Sequence, residues 1–396
     1  MTVATLPDGS QTKRIEAGVA AFADEFIALR RDIHRHPELS FKEHRTADIV
    51  ATRLAGWGYS VTSGIAGTGV VGTLRRGNGS KNLGIRADMD ALPILEATGL
   101  PYASVNAGVM HACGHDGHTA ILLAAARYLA ESGQFDGTLH VIFQPAEETG
   151  SGAKKMIAEG LFERFPCDAI FGLHNWPGVC AGHVGCVAGP AMAAVDQARI
   201  TVRGKGGHGA EPHKAVDPVV ATAHLITALQ TVVARNVDPL DMGVVTVGSI
   251  HGGQASNVIP DSVELKLTMR SFRPEIRQLL QDRIPALARA QAESFGAEAD
   301  VDYQLGFPAV LNHAEETAFA REVAVDSVGA ERVEANFRPR TASEDFAYML
   351  QARRGSYVFW GNGDSASLHN PKYDFNDFIL APAAAYWAQL AERFLA

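Results

Sequence analysis

The order of strand-like and helix-like segments changes once along this chain and then changes back, and few folds permit that. Apolar positions recur at helical spacing over residues 14–31 (Val19, Phe22, Phe26, Ile27) and 43–55 (Ile49, Val50, Leu54). GVVGTL (69–74) and NLGIRADMD (82–90) read as strands. GHTAILLAAARYLAESG (117–133) reads as a helix that stops at Gly133, and GTLHVIFQP (137–145) and DAIFGLHNW (168–176) read as buried strands. Strands alternating with helices favour a mainly parallel sheet in an α/β fold. Then the rhythm shifts. ARITVRG (198–204) is a strand, DPVVATAHLITALQTVVAR (217–235) a helix, and MGVVTVGSIHGG (242–253) and SVELKLTMRS (262–271) strands. PEIRQLLQDRIPALARAQAESFG (274–296) is a helix and EADVDYQLGF (298–307) a strand. That β-α-β-β-α-β order is the ferredoxin-like unit. The chain therefore reads as an α/β domain of residues 1–189 and 307–396, interrupted by an inserted ferredoxin-like domain of residues 190–306. A length of 396 residues agrees, because single cores rarely grow past about 250–300 residues.

Charge and composition remove several function classes. Lys and Arg number 35 against 44 Asp and Glu, a formal charge of −9, and no basic stripe stands out, so nucleic acid is not an expected partner. No uncharged apolar run is long enough to span a bilayer. The opening MTVATLPDGSQTKRIEAG has no apolar stretch of the secretory kind. Four cysteines are too few for a disulfide framework in so long a chain and read as reduced thiols, which makes a cytoplasmic protein the expectation.

MHACGHDGHTA (110–120) sets three histidines, one cysteine and one aspartate on a glycine-hinged turn ahead of a helix. Alone, it reads equally well as a helix entry with Asp116 as N-cap and surface histidines. Other ligand types, however, fall at the ends of strands. Asp88 follows one strand, Glu147 and Glu148 follow LHVIFQP, His174 ends AIFGLH, and His369 in SLHNP follows SYVFWG by a short loop. In open α/β sheets, sites form beyond the carboxyl ends of strands, so these residues can converge on one crevice with Cys113 and His115. Adjacent carboxylates suit a division of labour in which one binds a metal and the other moves a proton. Thiolate, imidazole and carboxylate together suit zinc, manganese, cobalt or nickel better than magnesium or calcium. Five candidate ligands (Cys113, His115, Glu148, His174 and His369) exceed the three that a single catalytic zinc usually takes, which fits two ions with one bridging ligand.

The motifs RADMDALPI, HACGHDGHTA, FQPAEETGSGA, GLHNWP, GKGGHGAEPHKAVDPV and SEDFA, in this order, resemble the hippurate hydrolase and aminoacylase family. Its members are di-metal amidohydrolases related to zinc carboxypeptidases, and plant auxin-conjugate hydrolases belong with them. The resemblance implies that Cys113, His115, Glu148, His174 and His369 hold two divalent ions, with Cys113 in the bridging place that an aspartate takes in more distant relatives. It implies Glu147 as general base. Asp88 becomes an orienting residue, since this chain reads Arg86-Ala87-Asp88 where those relatives have His-x-Asp. His208 of the inserted domain reaches the substrate carbonyl, from its own subunit or from a partner, and Asn257 in QASNVIP contacts substrate. The inserted domain serves as lid and dimerisation element of a homodimer or homotetramer. The implied reaction cleaves the amide of an N-acetyl or N-aroyl amino acid to a carboxylic acid and a free amino acid. A metallo-exopeptidase acting on peptides would use the same groups and stands as the alternative. His34, His36 and His44, on a polar amphipathic helical stretch, receive no role. Neither do His111 and His118, and Cys167, Cys180 and Cys186 read as inert thiols.

Overall fold

The computed structural model describes residues 9–396, so the reading of the chain's opening lies in part outside the described residues. It divides into two compact units. The first comprises the residues up to Gly189 with Leu311–Arg338 and Asp345–Ala396. The second comprises Pro190–Val310 with the short segment Pro339–Glu344.

The first unit is built on an eight-stranded sheet. In spatial order its strands are Ser60–Ile65, Gly69–Arg76, Gly137–Gln144, Asn82–Asp88, Ala169–Pro177, Gly355–Gly363, Val184–Cys186 and Val333–Glu334. The four strands from Gly137–Gln144 to Gly355–Gly363 run parallel, and an antiparallel hairpin closes one edge. Gly137–Gln144 is buried at every position, as a strand covered on both faces requires. Helix His115–Ser132 is buried almost throughout, with Ala120 to Ala126 wholly inaccessible. A helix apolar all round belongs inside, and this one packs against helices Ala23–Arg35 and Leu380–Phe394. Where one helix was expected over 14–31 there are two, Gly9–Ala20 and Ala23–Arg35. The chain turns between them, and Phe22 packs edge-on against Phe26. The sequence also hid the edge strand Ser60–Ile65, most of whose positions are exposed or half-exposed and therefore show no apolar alternation.

The second unit is an antiparallel sheet in the order Gly243–His251, Ser262–Ser271, Ala194–Arg203 and Glu298–Leu305, with helices Pro218–Asn236 and Pro274–Glu293. This is the expected β-α-β-β-α-β unit. Alternate residues of Ala194–Arg203 are buried, which is the pattern of a sheet packed on one face. Ala198, Ile200 and Val202 share a core with Leu225, Leu229, Leu280 and Ile284. Asp217 caps the first helix by accepting the Val219 N–H at 2.8 Å, with Pro218 at the first helical position. Among the described residues, no helix is long and apolar enough to cross a membrane.

Candidate metal centre

Parallel pairing sets Asp88 beside Gln144, so the ends of their strands fall side by side. Glu147 and Glu148 follow Gln144 by a few residues, and His174 lies on the neighbouring strand Ala169–Pro177. The loop after Gly355–Gly363 returns His369, whose N–H donates to the Ala112 carbonyl at 2.8 Å, one residue from Cys113. Gly114 joins Cys113 to the helix in a left-handed conformation, φ +90°. A Cβ there would lie 2.2 Å from Asn175 Nδ2, so both the angle and the space demand glycine.

Six of the sequence-chosen residues converge. Cys113 Sγ lies 3.4 Å from His174 Nε2, and His369 Nε2 lies 3.5 Å from Glu148 Oε2. His115 Nε2 is 3.9 Å from a carboxylate oxygen of Glu147 and 3.9 Å from Glu148 Oε1. Two groups of donors within 4.8 Å share Cys113, one with His115 and His174 and one with Glu148 and His369, and a further group joins His115 with Glu147 and Glu148. His115 Nδ1 faces the Asp90 carbonyl at 2.8 Å, and His174 Nδ1 faces the Asn175 carbonyl at 2.6 Å. A carbonyl accepts only, so in each neutral ring the proton sits on Nδ1 and the Nε2 lone pair points inward.

These residues fit a bound cation on two counts. First, His115 Nε2 and Glu148 Oε1 are buried without any hydrogen-bond partner. Such orphaned groups cost about 1–3 kcal/mol each unless something else satisfies them. Second, the field calls for positive charge. Burial pulls the His115 pKa down, but Asp88, Asp90 and Glu148 overcome it and push it up to about 10. A divalent ion would answer that field in place of a proton. Burial also disfavours ionised Asp88, yet His115, Arg86 and His118 hold its pKa well below the usual carboxylate range.

Asp88 sits at the hub of the support. It bonds His118 Nδ1 at 2.6 Å, accepts from Arg86 at 2.7 Å, and lies 3.8 Å from His115 Nε2. His208 and Asn257 belong to the second unit. There the short strands Gly207–His208 and Val258–Ile259 pair, and the Gly209 N–H donates to the Asn257 carbonyl at 2.8 Å. His208 Nδ1 accepts the Ala210 N–H at 3.1 Å, so its ring proton is on Nε2.

The family described as peptidase family M20/M25/M40 matches residues 84–393. The chain belongs to that family. Among its M20/M25/M40 relatives, hippurate hydrolase of Campylobacter jejuni is 46% identical over 371 residues, covering 94% of this chain and 97% of the relative. N-acetyl-L-cysteine deacetylase of Bacillus subtilis is 40% identical over 372 residues, covering 94% and 88%. A solved Bacillus subtilis structure, described as a dinuclear metal-binding peptidase of the M20 family, has a TM-score of 0.83 at 34% identity, covering 95% of this chain and 99% of that one.

The M20/M25/M40 chain also holds residues to which sequence reasoning gave no role. His118, one turn along the helix from His115, is buried and accepts the Asn175 N–H at 3.1 Å. Asn175 donates to the Cys113 carbonyl at 2.8 Å and accepts from Tyr373 at 2.6 Å. Asp116 is not the N-cap, which is Gly114. It is buried in the first turn and bonds His34 Nδ1 at 2.9 Å. His34 is thus an interior residue rather than part of a polar face. The available signal was adjacency: His118 and Asp116 lie inside HACGHDGH, and Asn175 follows His174.

Proposed function

We propose that this chain is a metal-dependent amidohydrolase that cleaves N-acyl amino acids, acetyl or aroyl, to a carboxylic acid and a free amino acid. The observation that carries the reading is the pair of donor groups sharing Cys113, with the Glu147 carboxylate 3.9 Å from one of their donors. Cys113, His115, Glu148, His174 and His369 would hold two divalent ions, drawn from zinc, manganese, cobalt and nickel. Bound there, the ions supply Lewis acidity and bring the pKa of a water toward ~7. Glu147 would take a proton from the attacking water as its oxygen adds to the acyl carbonyl, and would return it to the amine nitrogen as the C–N bond breaks. His208 Nε2–H donates to the carbonyl oxygen as negative charge develops there. Asp88 fixes His118 and the local field, and Asn257 contacts the substrate. The names of the curated relatives, hippurate hydrolase and N-acetyl-L-cysteine deacetylase, support N-acyl amino acids as the substrate class. Assembly through the second unit into a homodimer or homotetramer, and a cytoplasmic location, belong to the same reading.

The test compares N-benzoylglycine, N-acetyl amino acids and free dipeptides, using protein stripped by chelator and then reloaded with each metal. Metal-dependent release of amino acid from the N-acyl substrates is expected. Turnover of dipeptides alone would replace the reading with a metallo-exopeptidase.

A further inference from the structure

Three successive backbone N–H groups around the Glu147–Glu148 pair are held by two buried carboxylates outside the metal groups. Glu43 Oε1 accepts the Ala146 N–H at 2.9 Å. Asp90 Oδ1 accepts the Glu147 N–H at 3.0 Å, and Asp90 Oδ2 accepts the Glu148 N–H at 3.1 Å. Neither carboxylate is spent at the surface: Glu43 is wholly buried and Asp90 nearly so. Ala146 has φ +53°, a left-handed conformation that a non-glycine residue adopts only when its surroundings impose it. Phe41, at φ +62°, is a second such residue, and its N–H donates to the same Glu43 oxygen at 2.9 Å. The segment carrying Glu43 is tied to the one carrying Asp90. Ser40 Oγ donates to Asp90 Oδ2 at 2.6 Å, and the Ala91 N–H donates to the Glu38 carbonyl at 2.8 Å. Asp90 also presents its own carbonyl to His115 Nδ1.

We propose that Glu43 and Asp90 form a clamp that sets the strained turn at Ala146–Glu148, and so assigns Glu147 and Glu148 their different directions. They are positioning residues. Asp90 couples the two sides, since one residue fixes the backbone of the carboxylate pair and the ring of His115. The proposal rests on the metal-dependent reading of the site.

The donor pattern makes the clamp testable. Both oxygens of Asp90 accept from N–H groups, so an amide in its place must turn an NH2 toward a backbone donor. Glu43 differs: one oxygen accepts both N–H groups, and the other accepts the Thr68 hydroxyl. A glutamine can keep the first and donate to Thr68 instead, because a hydroxyl also accepts. Zinc affinity, measured by competition with a chromophoric chelator, is read alongside kcat and KM for N-benzoylglycine, with circular dichroism confirming the fold. Asp90→Asn is expected to weaken zinc binding about 10–100-fold, the usual effect of losing a residue that orients a ligand. Its kcat should fall at least as far, with KM within about threefold. Glu43→Ala should weaken zinc about tenfold or more, and Glu43→Gln should recover to within about threefold of wild type. A folded Asp90→Asn with wild-type zinc affinity overturns the clamp. So does a Glu43→Gln as impaired as Glu43→Ala, because charge rather than acceptor geometry would then be at work. If Asp90→Asn does not fold, the Glu43 pair decides alone. A wild-type protein that binds zinc but hydrolyses no N-acyl amino acid sinks the substrate assignment while leaving the zinc comparison to judge the clamp.

Discussion

In the proposed reading Glu147 and Glu148, neighbours in sequence, have separate tasks. Glu147→Gln removes a base without removing a ligand, so both ions should stay while kcat falls about 10²–10⁴-fold. Elemental analysis of the purified variant beside its kinetics checks this, and loss of the ions would reverse the roles. Glu148→Ala should deplete at least one ion. Cys113, buried and 3.4 Å from His174, should resist alkylation in metal-loaded protein and react quickly after chelation, because a coordinating thiol is deprotonated. Equal rates in both states would remove it from the ligand set. That these residues meet in one place was legible because their types are rare and clustered: cysteine, histidines and paired carboxylates at strand ends. Asp90 lay inside a motif in plain view, and Glu43 inside a predicted helix, yet neither could be singled out. Each works by accepting backbone N–H groups from a segment distant in sequence, and residue spacing carries no trace of such a bond.

Helices Ala23–Arg35 and His115–Ser132 are joined by a buried ionic contact in which Asp116 bonds His34 at 2.9 Å and meets Arg30 at 3.4 Å. Burial alone would lower the His34 pKa, but Asp116 and Glu96 reverse this and raise it from 6.5 to about 9. The folded protein therefore holds this proton more tightly than the unfolded chain. That contribution is complete below about pH 6.5 and is lost as pH rises through about 9, an order of 3 kcal/mol at most. Denaturant titrations at pH 6 and pH 9.5 should show wild type losing more stability than His34→Asn over that interval. Parallel losses would place the pH dependence elsewhere. The element itself was only half legible. Phe26, Leu29, Arg30, Ile33 and His34 form one buried stripe at helical spacing. Its last turn was read as polar because two of the five residues are charged or titratable. Apart from the edge strand Ser60–Ile65, the long strands of both units were easier, since continuous apolar runs and strict alternation are set by burial on two faces or one.

For the molecule as a whole, the five proposed ligands lie in the first unit and His208 in the second. His208→Ala should therefore leave metal content and folding unchanged. It should lower kcat and kcat/KM together by about 10²–10³-fold, the cost of one oxyanion donor. Mixing it with Glu147→Gln under subunit exchange reads out which subunit His208 serves: recovered activity assigns it to the partner's site, and a dead mixture to its own. The inserted unit was legible from the change of rhythm, whereas six residues at Pro339–Glu344 carry no period that could have shown their grouping with it. One feature of the first unit bears on how such a chain is made. Strand Gly355–Gly363 lies inside the sheet, between Ala169–Pro177 and Val184–Cys186, although the whole second unit separates it from both in sequence. On the ribosome those two flanking strands emerge first and wait with bare edges, the kind that invite pairing with other chains. His369 emerges later still. A stalled nascent chain that stops short of residue 355 should stay open to protease and bind zinc weakly, and translation of the last few dozen residues should close the sheet and the metal groups together.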